Sequence, residues 1–479
     1  MSQYVQLFRM GKFDACEEEC RRLLQKDKSD VNVWLVLCLC LSTQAKWSDL
    51  SVALAEALNS SEPTPRESSL LHQLAGDAAI RNGDTVRAVD EYQLACDLAP
   101  DRFDAKYALA QALFERNLFD RCGDMLRQVF SGGPDIGDQL YAESVYLFSR
   151  LPEAGTAKAF FEEYPNLKPR VEHPYFFYGV GNLLVQDQQY ELAVRFFETA
   201  NNLKRHSAPY DFSRDSQVLD QHQSNLYRFH SLPDFKFDSF GERVVFVVGM
   251  PRTGSSLLEQ MLSAHSDVAA LGEGDWLVRA IREVTLVDND PKGIELIAEL
   301  AKDETICSLV RENFYASIGT HAKVVVDKTL ANFHFIELIA SAFPEAIVIH
   351  ATREKEPSIW SSFRTNFTKW IRYSESLDEL SMYFDRVEGL LAGWKEKLPG
   401  KIVRVKYEKL IADPATVIQE ILERLDLRFQ EDCLSPWRQE RVVDTASKVQ
   451  LTQPIYQEAN LEYEPFRELV SARLKELPQ

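Results

Sequence analysis

At 479 residues the chain is longer than one ordinary hydrophobic core serves, so two or more domains are expected. A composition of 45% hydrophobic and 27% charged residues is that of a water-soluble globular protein, and no stretch approaches the roughly 18 apolar residues of a membrane span. The net charge of −19 argues against nucleic acid or an anionic membrane as partner, so any anionic ligand must be met by a local cluster of cations and N–H donors. The N-terminus lacks the basic-then-apolar layout of a signal peptide, and a cytoplasmic location is the expectation. Six of the eight cysteines fall in the first 130 residues, mostly at apolar positions of helical patterns, with no CxxC pair or Cys/His metal spacing. Buried, reduced thiols are expected, with Cys38 and Cys40 on different faces of one apolar helix. None of the nine histidines forms a ligand-like pair, His265 and His350 read as structural, and no metal is expected.

The first two hundred residues repeat. Phe13 and Cys16, Trp47 and Leu50, Thr85 and Ala88, Phe119 and Cys122, and Tyr190 and Ala193 share one spacing, a bulky or turn-side residue followed three positions later by a small or apolar one. Phe13 to Trp47 and Thr85 to Phe119 are each 34 residues. The fullest copy runs on through Tyr92, Ala95 and Pro100 and is preceded by Gly76, where two helices would pack closely. Gly181, Tyr190, Ala193, Phe197 and Ala200 make another, and Ala157 with Phe161 a degenerate one. This pattern resembles the tetratricopeptide repeat, a helix–turn–helix unit that buries one face against its neighbours and stacks into a solenoid. It covers residues 1–205. Residues 206–240 carry turn and polar signals and read as a connecting segment.

From 241 to 479 short apolar strands alternate with helices: Val244–Gly249, Val324–Asp327, Ala346–His350 and Lys401–Tyr407, with helical patterns following Asp327 and over Thr416–Leu425. That alternation predicts a parallel sheet covered on both faces, with ligands outside the carboxyl ends of its strands. Arg252, Lys328 and Arg353 each stand just past such an end. The richest stretch is VVFVVGMPRTGSSLLEQML, Val244 to Leu262, which reads as strand, anion-cradling loop and helix. Backbone N–H groups around Gly254, Ser255 and Ser256 would meet a phosphate at the positive end of the helix dipole. The Gly249–Gly254 spacing is P-loop-like, yet Ser255 stands where a P-loop carries lysine, and the cation lies inside the loop as Arg252. Such a loop suits a 5′-phosphate bearing one further anionic group.

The segments GMPRTGSSLLEQML, LGEGDWL, VDKTLANF, HATREKEPSIWSSF, RVKYEKLIADP and TASKVQLTQPIY, in that order, resemble sulfotransferases that use 3′-phosphoadenosine 5′-phosphosulfate (PAPS), in particular tetratricopeptide-repeat sulfotransferases and the related tyrosylprotein sulfotransferases. The fold implied is an N-terminal tetratricopeptide α-solenoid followed by a P-loop-like α/β parallel-sheet sulfotransferase domain. By the same resemblance, Arg252, Thr253, Gly254, Ser255 and Ser256 would hold the 5′-phosphosulfate, and Arg353 with Ser361 would clamp the 3′-phosphate. Glu273 would be the general base, with Asp275 as the alternative. Lys328 would contact the bridging oxygen and the sulfuryl group, Tyr407 the cofactor, and Ser447 the 3′-phosphate or the reacting group. Family members often cover the cofactor with a basic, aromatic stretch; QEANLEYEPF is acidic there and leaves Lys448 as the nearest cation. The implied reaction passes a sulfuryl group from PAPS to a hydroxyl acceptor and releases adenosine 3′,5′-bisphosphate. The repeat region would serve a protein or peptide partner or a homodimer contact. A tetratricopeptide scaffold with a non-catalytic sulfotransferase-like domain is the second reading.

Overall fold

The computed structural model describes residues 2–165, 172–238, 240–285, 291–320, 322–367, 371–439, 448–455 and 461–475. The chain divides into two compact units, Met1–Gln189 and Tyr190–Gln479. The helix Tyr190–Ser207, read from sequence as the close of the repeat region, therefore falls within the second unit.

The first unit is helical hairpins in succession, and the aligned residues explain them. Helices begin at Phe13, Trp47, Thr85 and Phe119, and the second unit's first helix begins at Tyr190. In every case the residue three places on is fully buried: Cys16, Leu50, Ala88, Cys122 and Ala193. Two places before each start, the backbone turns left-handed, at Gly11, Ala45, Gly83, Asn117 and Gln188, with φ between 56° and 77°. This is the αL cap that ends one helix and aims the next. Gly76 admits the neighbouring helix as its sequence position implies, since a Cβ there would stand 2.5 Å from the Tyr92 ring. Helix Val31–Thr43 is apolar on more than one face, so Cys38 and Cys40 are both wholly buried although they point apart. All eight cysteines are free and buried. Burial pushes the Cys38, Cys122 and Cys307 thiols up to about 12 and those of Cys96 and Cys433 up to about 11.

The second unit is built on five parallel strands: β1 Arg243–Gly249, β2 Val268–Gly272, β3 Val324–Asp327, β4 Ile347–Thr352 and β5 Ile402–Lys406, in the order β2-β3-β1-β4-β5. The three central strands are buried on both faces, hence their unbroken Val/Ile runs. Along β1, Val245 and Val247 join Leu258, Met261 and Leu262 of helix Ser255–Ser263 in one core. The intervening Phe246 faces Phe314 and Phe343 on the other side, with ring centroids 5.8 and 5.4 Å away. Each such side chain contributes about 1.5–3 kcal/mol by leaving water.

Two elements differ from the sequence reading. β2, with the sequence VAALG, is an edge strand with only Val268 buried, too weak in β-formers to stand out. The connecting segment contains a 17-residue helix, Phe212–Arg228. Its buried face includes His222 and Asn225 beside Val218, Leu219 and Leu226, so polar residues sit where an apolar stripe would reveal a helix.

Candidate active site

Arg252, Glu273, Lys328, Arg353 and Tyr407 all lie just past the carboxyl ends of the strands, in the connections that follow β1, β2, β3, β4 and β5. After Gly249 the chain turns through Met250–Gly254 and enters helix Ser255–Ser263. The turn is held from within by the Thr253 hydroxyl, which donates to the Met250 carbonyl at 2.8 Å. Arg252 adopts φ 63°, a left-handed conformation that a side chain rarely takes. Gly254, with φ 82°, stands against Tyr407: a Cβ there would lie 2.3 Å from the ring. Ser255 and Ser256, both buried, open the helix and bring their amides to its positive end.

On one side of this loop lies a cluster of guanidinium groups. Arg252 Nε donates to Ser361 Oγ at 2.9 Å, and Arg353 Nη1 donates to the Arg252 carbonyl at 3.3 Å. The Arg353 guanidinium rests 4.7 Å from the centre of the Tyr407 ring. Arg364, one turn beyond Ser361, completes the group. Burial, followed by the like charges of Arg364 and Arg353, pulls the Arg252 pKa down to about 10. Burial likewise raises that of Tyr407. These residues line one cleft, with Trp360 on its wall. Crowded cations in a protein of net charge −19 are what a dianionic or trianionic ligand would relieve, and glycine at 254 keeps the loop backbone bare.

On the other side of the loop stands a second cluster. Lys328, the first residue after β3, is wholly buried, and its ammonium pairs with the Glu273 carboxylate. Lys328 Nζ also donates to Ser256 Oγ at 3.4 Å and lies 3.9 Å from Glu259 Oε2. Glu273 is half exposed, so its carboxylate meets Lys328 on one side and solvent on the other. Asp275 lies instead at the start of helix Trp276–Val284, where its carbonyl accepts from the Arg279 amide at 2.7 Å. Asp327, wholly buried at the end of β3, has its pKa raised to about 6 by burial and accepts from the Thr329 amide at 2.9 Å.

The structure thus brings together Arg252, Ser361, Arg353 and Tyr407 on one side, and Ser256, Lys328 and Glu273 on the other. Lys448 is buried, and the cleft takes Gln450 and Leu451 from its short helix Lys448–Leu451 instead. Ser447 lies outside the described residues. Among the residues that sequence reasoning missed, Arg364 could have been found from its place three residues after Ser361, on the same helical face. Glu259 could have been found as an acid inside the apolar run LLEQML: it is fully buried and accepts from the Gly272 amide at 2.9 Å. The two predicted structural histidines are hydrogen-bonded within the fold, His350 to Glu388 at 2.8 Å and His265 to the Arg428 carbonyl at 2.9 Å. Among the described residues no group of three or more His, Cys, Asp or Glu is arranged to hold a metal ion, and no helix is long and apolar enough to cross a membrane.

Residues 244–431 match the profile of the sulfotransferase family. An uncharacterized protein of Aquifex aeolicus is 27% identical over 286 residues, 57% of this chain and 37% of that protein, so the chain spans little over a third of that relative. A putative protein-tyrosine sulfotransferase of Caenorhabditis briggsae is 25% identical over 203 residues, 40% of this chain and 69% of that one. Among solved structures, the sulfotransferase domain of the Synechococcus PCC 7002 olefin synthase aligns over 52% of this chain and all of that domain, at 18% identity and a TM-score of 0.35.

Proposed function

We propose, from the match of residues 244–431 to the sulfotransferase family profile, that the chain transfers a sulfuryl group from PAPS to a hydroxyl acceptor. One observation carries the reading: a guanidinium cluster and a Lys–Glu pair flank a single loop, Arg252–Ser256, that opens a helix. PAPS, when bound, supplies the activated sulfuryl group. The amides of Gly254, Ser255 and Ser256 would orient its 5′ end, while Arg353 and Ser361 would receive its 3′-phosphate. Glu273, open to solvent on one side, would accept the proton of the incoming hydroxyl. Lys328 Nζ, held beside Ser256, would stabilise charge as it builds on the departing oxygen, and Arg252 would do so at the transferred group. Sulfuryl transfer develops less negative charge than phosphoryl transfer, so fixed cations serve where a metal would otherwise be required.

A phenolic hydroxyl is the first acceptor to test, since the Caenorhabditis briggsae relative is named for protein tyrosine. The repeat region would present a surface to a protein or peptide partner or to a second copy of the chain. Labelled sulfate should pass from PAPS to a phenolic or other hydroxyl acceptor in the wild type. Lys328→Ala and Glu273→Ala should bind adenosine 3′,5′-bisphosphate yet lose turnover by two orders of magnitude or more. Full turnover in both variants removes the catalytic assignment.

A further inference from the structure

The arginine cluster receives acceptors from the chain's own C-terminal part. Gln450 Oε1 accepts from Arg252 Nη2 at 3.3 Å, and the Glu462 carboxylate pairs with Arg364 Nη2 at 2.9 Å. Both residues line the same cleft as Arg252 and Arg353. The Glu462 charge also reaches Arg252, where it opposes the downward pull of the neighbouring guanidinium groups. Glu462 is not a stray surface side chain, because the turn that carries it, Leu461–Phe466, is pinned. The Tyr463 hydroxyl donates to Glu356 at 3.1 Å, and the buried Phe466 ring packs 4.4 Å from Trp360. The following helix, Arg467–Lys475, is tied down by Arg473 Nε donating to Glu198 at 2.6 Å.

We propose that Glu462 is a built-in competitor for the anion site, a carboxylate that holds Arg364 in the absence of ligand and must yield it when a nucleotide phosphate enters. The proposal rests on the reading of the cleft as the donor site. A carboxylate cannot share a guanidinium with a phosphate without like-charge repulsion, so donor binding is coupled to release of the Leu461–Phe466 turn. The acidic character of this segment then has a role: it sets donor affinity lower than the bare arginines would.

The test is calorimetric titration of adenosine 3′,5′-bisphosphate into the full chain, wild type against Glu462→Gln. Loss of a partly exposed ion pair together with relief of repulsion should tighten binding about five- to tenfold at low salt, and the gain should shrink in ~0.5 M salt. Wild-type binding with equal or weaker binding by the variant overturns the competitor role alone. Binding by neither overturns the reading of the cleft, and the proposal with it. Should Glu462→Gln fold poorly, hydrogen exchange on the wild type decides: residues 461–466 should lose protection on saturation with the bisphosphate, and unchanged or increased protection refutes the coupling.

Discussion

Gly254 is the position at which fold and proposed chemistry depend most directly on one atom. Replacing it with alanine forces a side chain into φ 82°, at a cost of about 1–2 kcal/mol, and drives a Cβ to 2.3 Å from the Tyr407 ring, an overpacking worth about 1–3 kcal/mol more. The total is roughly 2–5 kcal/mol. In a unit of this size it should lower the melting temperature by about 3–8 °C. Differential scanning calorimetry is the assay, because only the transition of the second unit should move. The same displacement of the loop would pull the amides of Ser255 and Ser256 off their aim and push Tyr407 from beneath Arg353, so affinity for adenosine 3′,5′-bisphosphate should fall at least tenfold. A double-mutant cycle separates the two causes: Gly254→Ala with Tyr407→Ala removes the clash but keeps the strained φ, and should be less destabilised than the sum of the single variants by about 1–3 kcal/mol. Additive effects, or an alanine variant that melts and binds as the wild type does, refute the reasoning.

Ala45→Gly relieves a left-handed turn at φ 56° and should stabilise the first unit by about 0.5–1 kcal/mol, read as a rise in its calorimetric transition, whereas Gly83→Ala at φ 77° should lower it. His334, 2.7 Å from His222, has its pKa pushed down to about 4 by burial. The unfolded imidazole titrates near 6.5, so the unfolded chain binds more protons between these values; stability is full above about pH 6.5 and is lost as pH falls toward 4, by about 3 kcal/mol at most. Urea unfolding across that range should show the slope in the wild type and a shallower one in His334→Gln. All eight buried thiols should resist a disulfide reagent in the native protein and react together once it is denatured.

Most of the framework was legible because its signals are local. The spacing that set Phe13, Trp47, Thr85, Phe119 and Tyr190 in line marks real helix starts. The buried runs of β1, β3 and β4 stand out for the same reason, since strands covered on both faces read as unbroken Val and Ile. What escaped has the opposite character. The left-handed turn before each of those helix starts is hidden because glycine fills it only at Gly11 and Gly83, while Ala45, Asn117 and Gln188 take the same backbone without announcing it. Helix Phe212–Arg228 buries polar groups that pair with residues far off in sequence, as Asn225 does with the Ile294 carbonyl at 2.8 Å. The site divides likewise. Arg252, Lys328 and Arg353 could be named from their places after strands, but the contacts of Glu259 and Glu462 are made across 69 and 98 residues, to Lys328 and Arg364, and only folding puts them there.

The measurement that bears most directly on the whole account is a calorimetric comparison of adenosine 3′,5′-bisphosphate with adenosine 5′-monophosphate on the wild type and on Arg353→Ala. The bisphosphate should bind at least tenfold more tightly to the wild type, and Arg353→Ala should erase the difference. Equal affinity for the two nucleotides in the wild type, or a preference that survives the loss of Arg353, would contradict it.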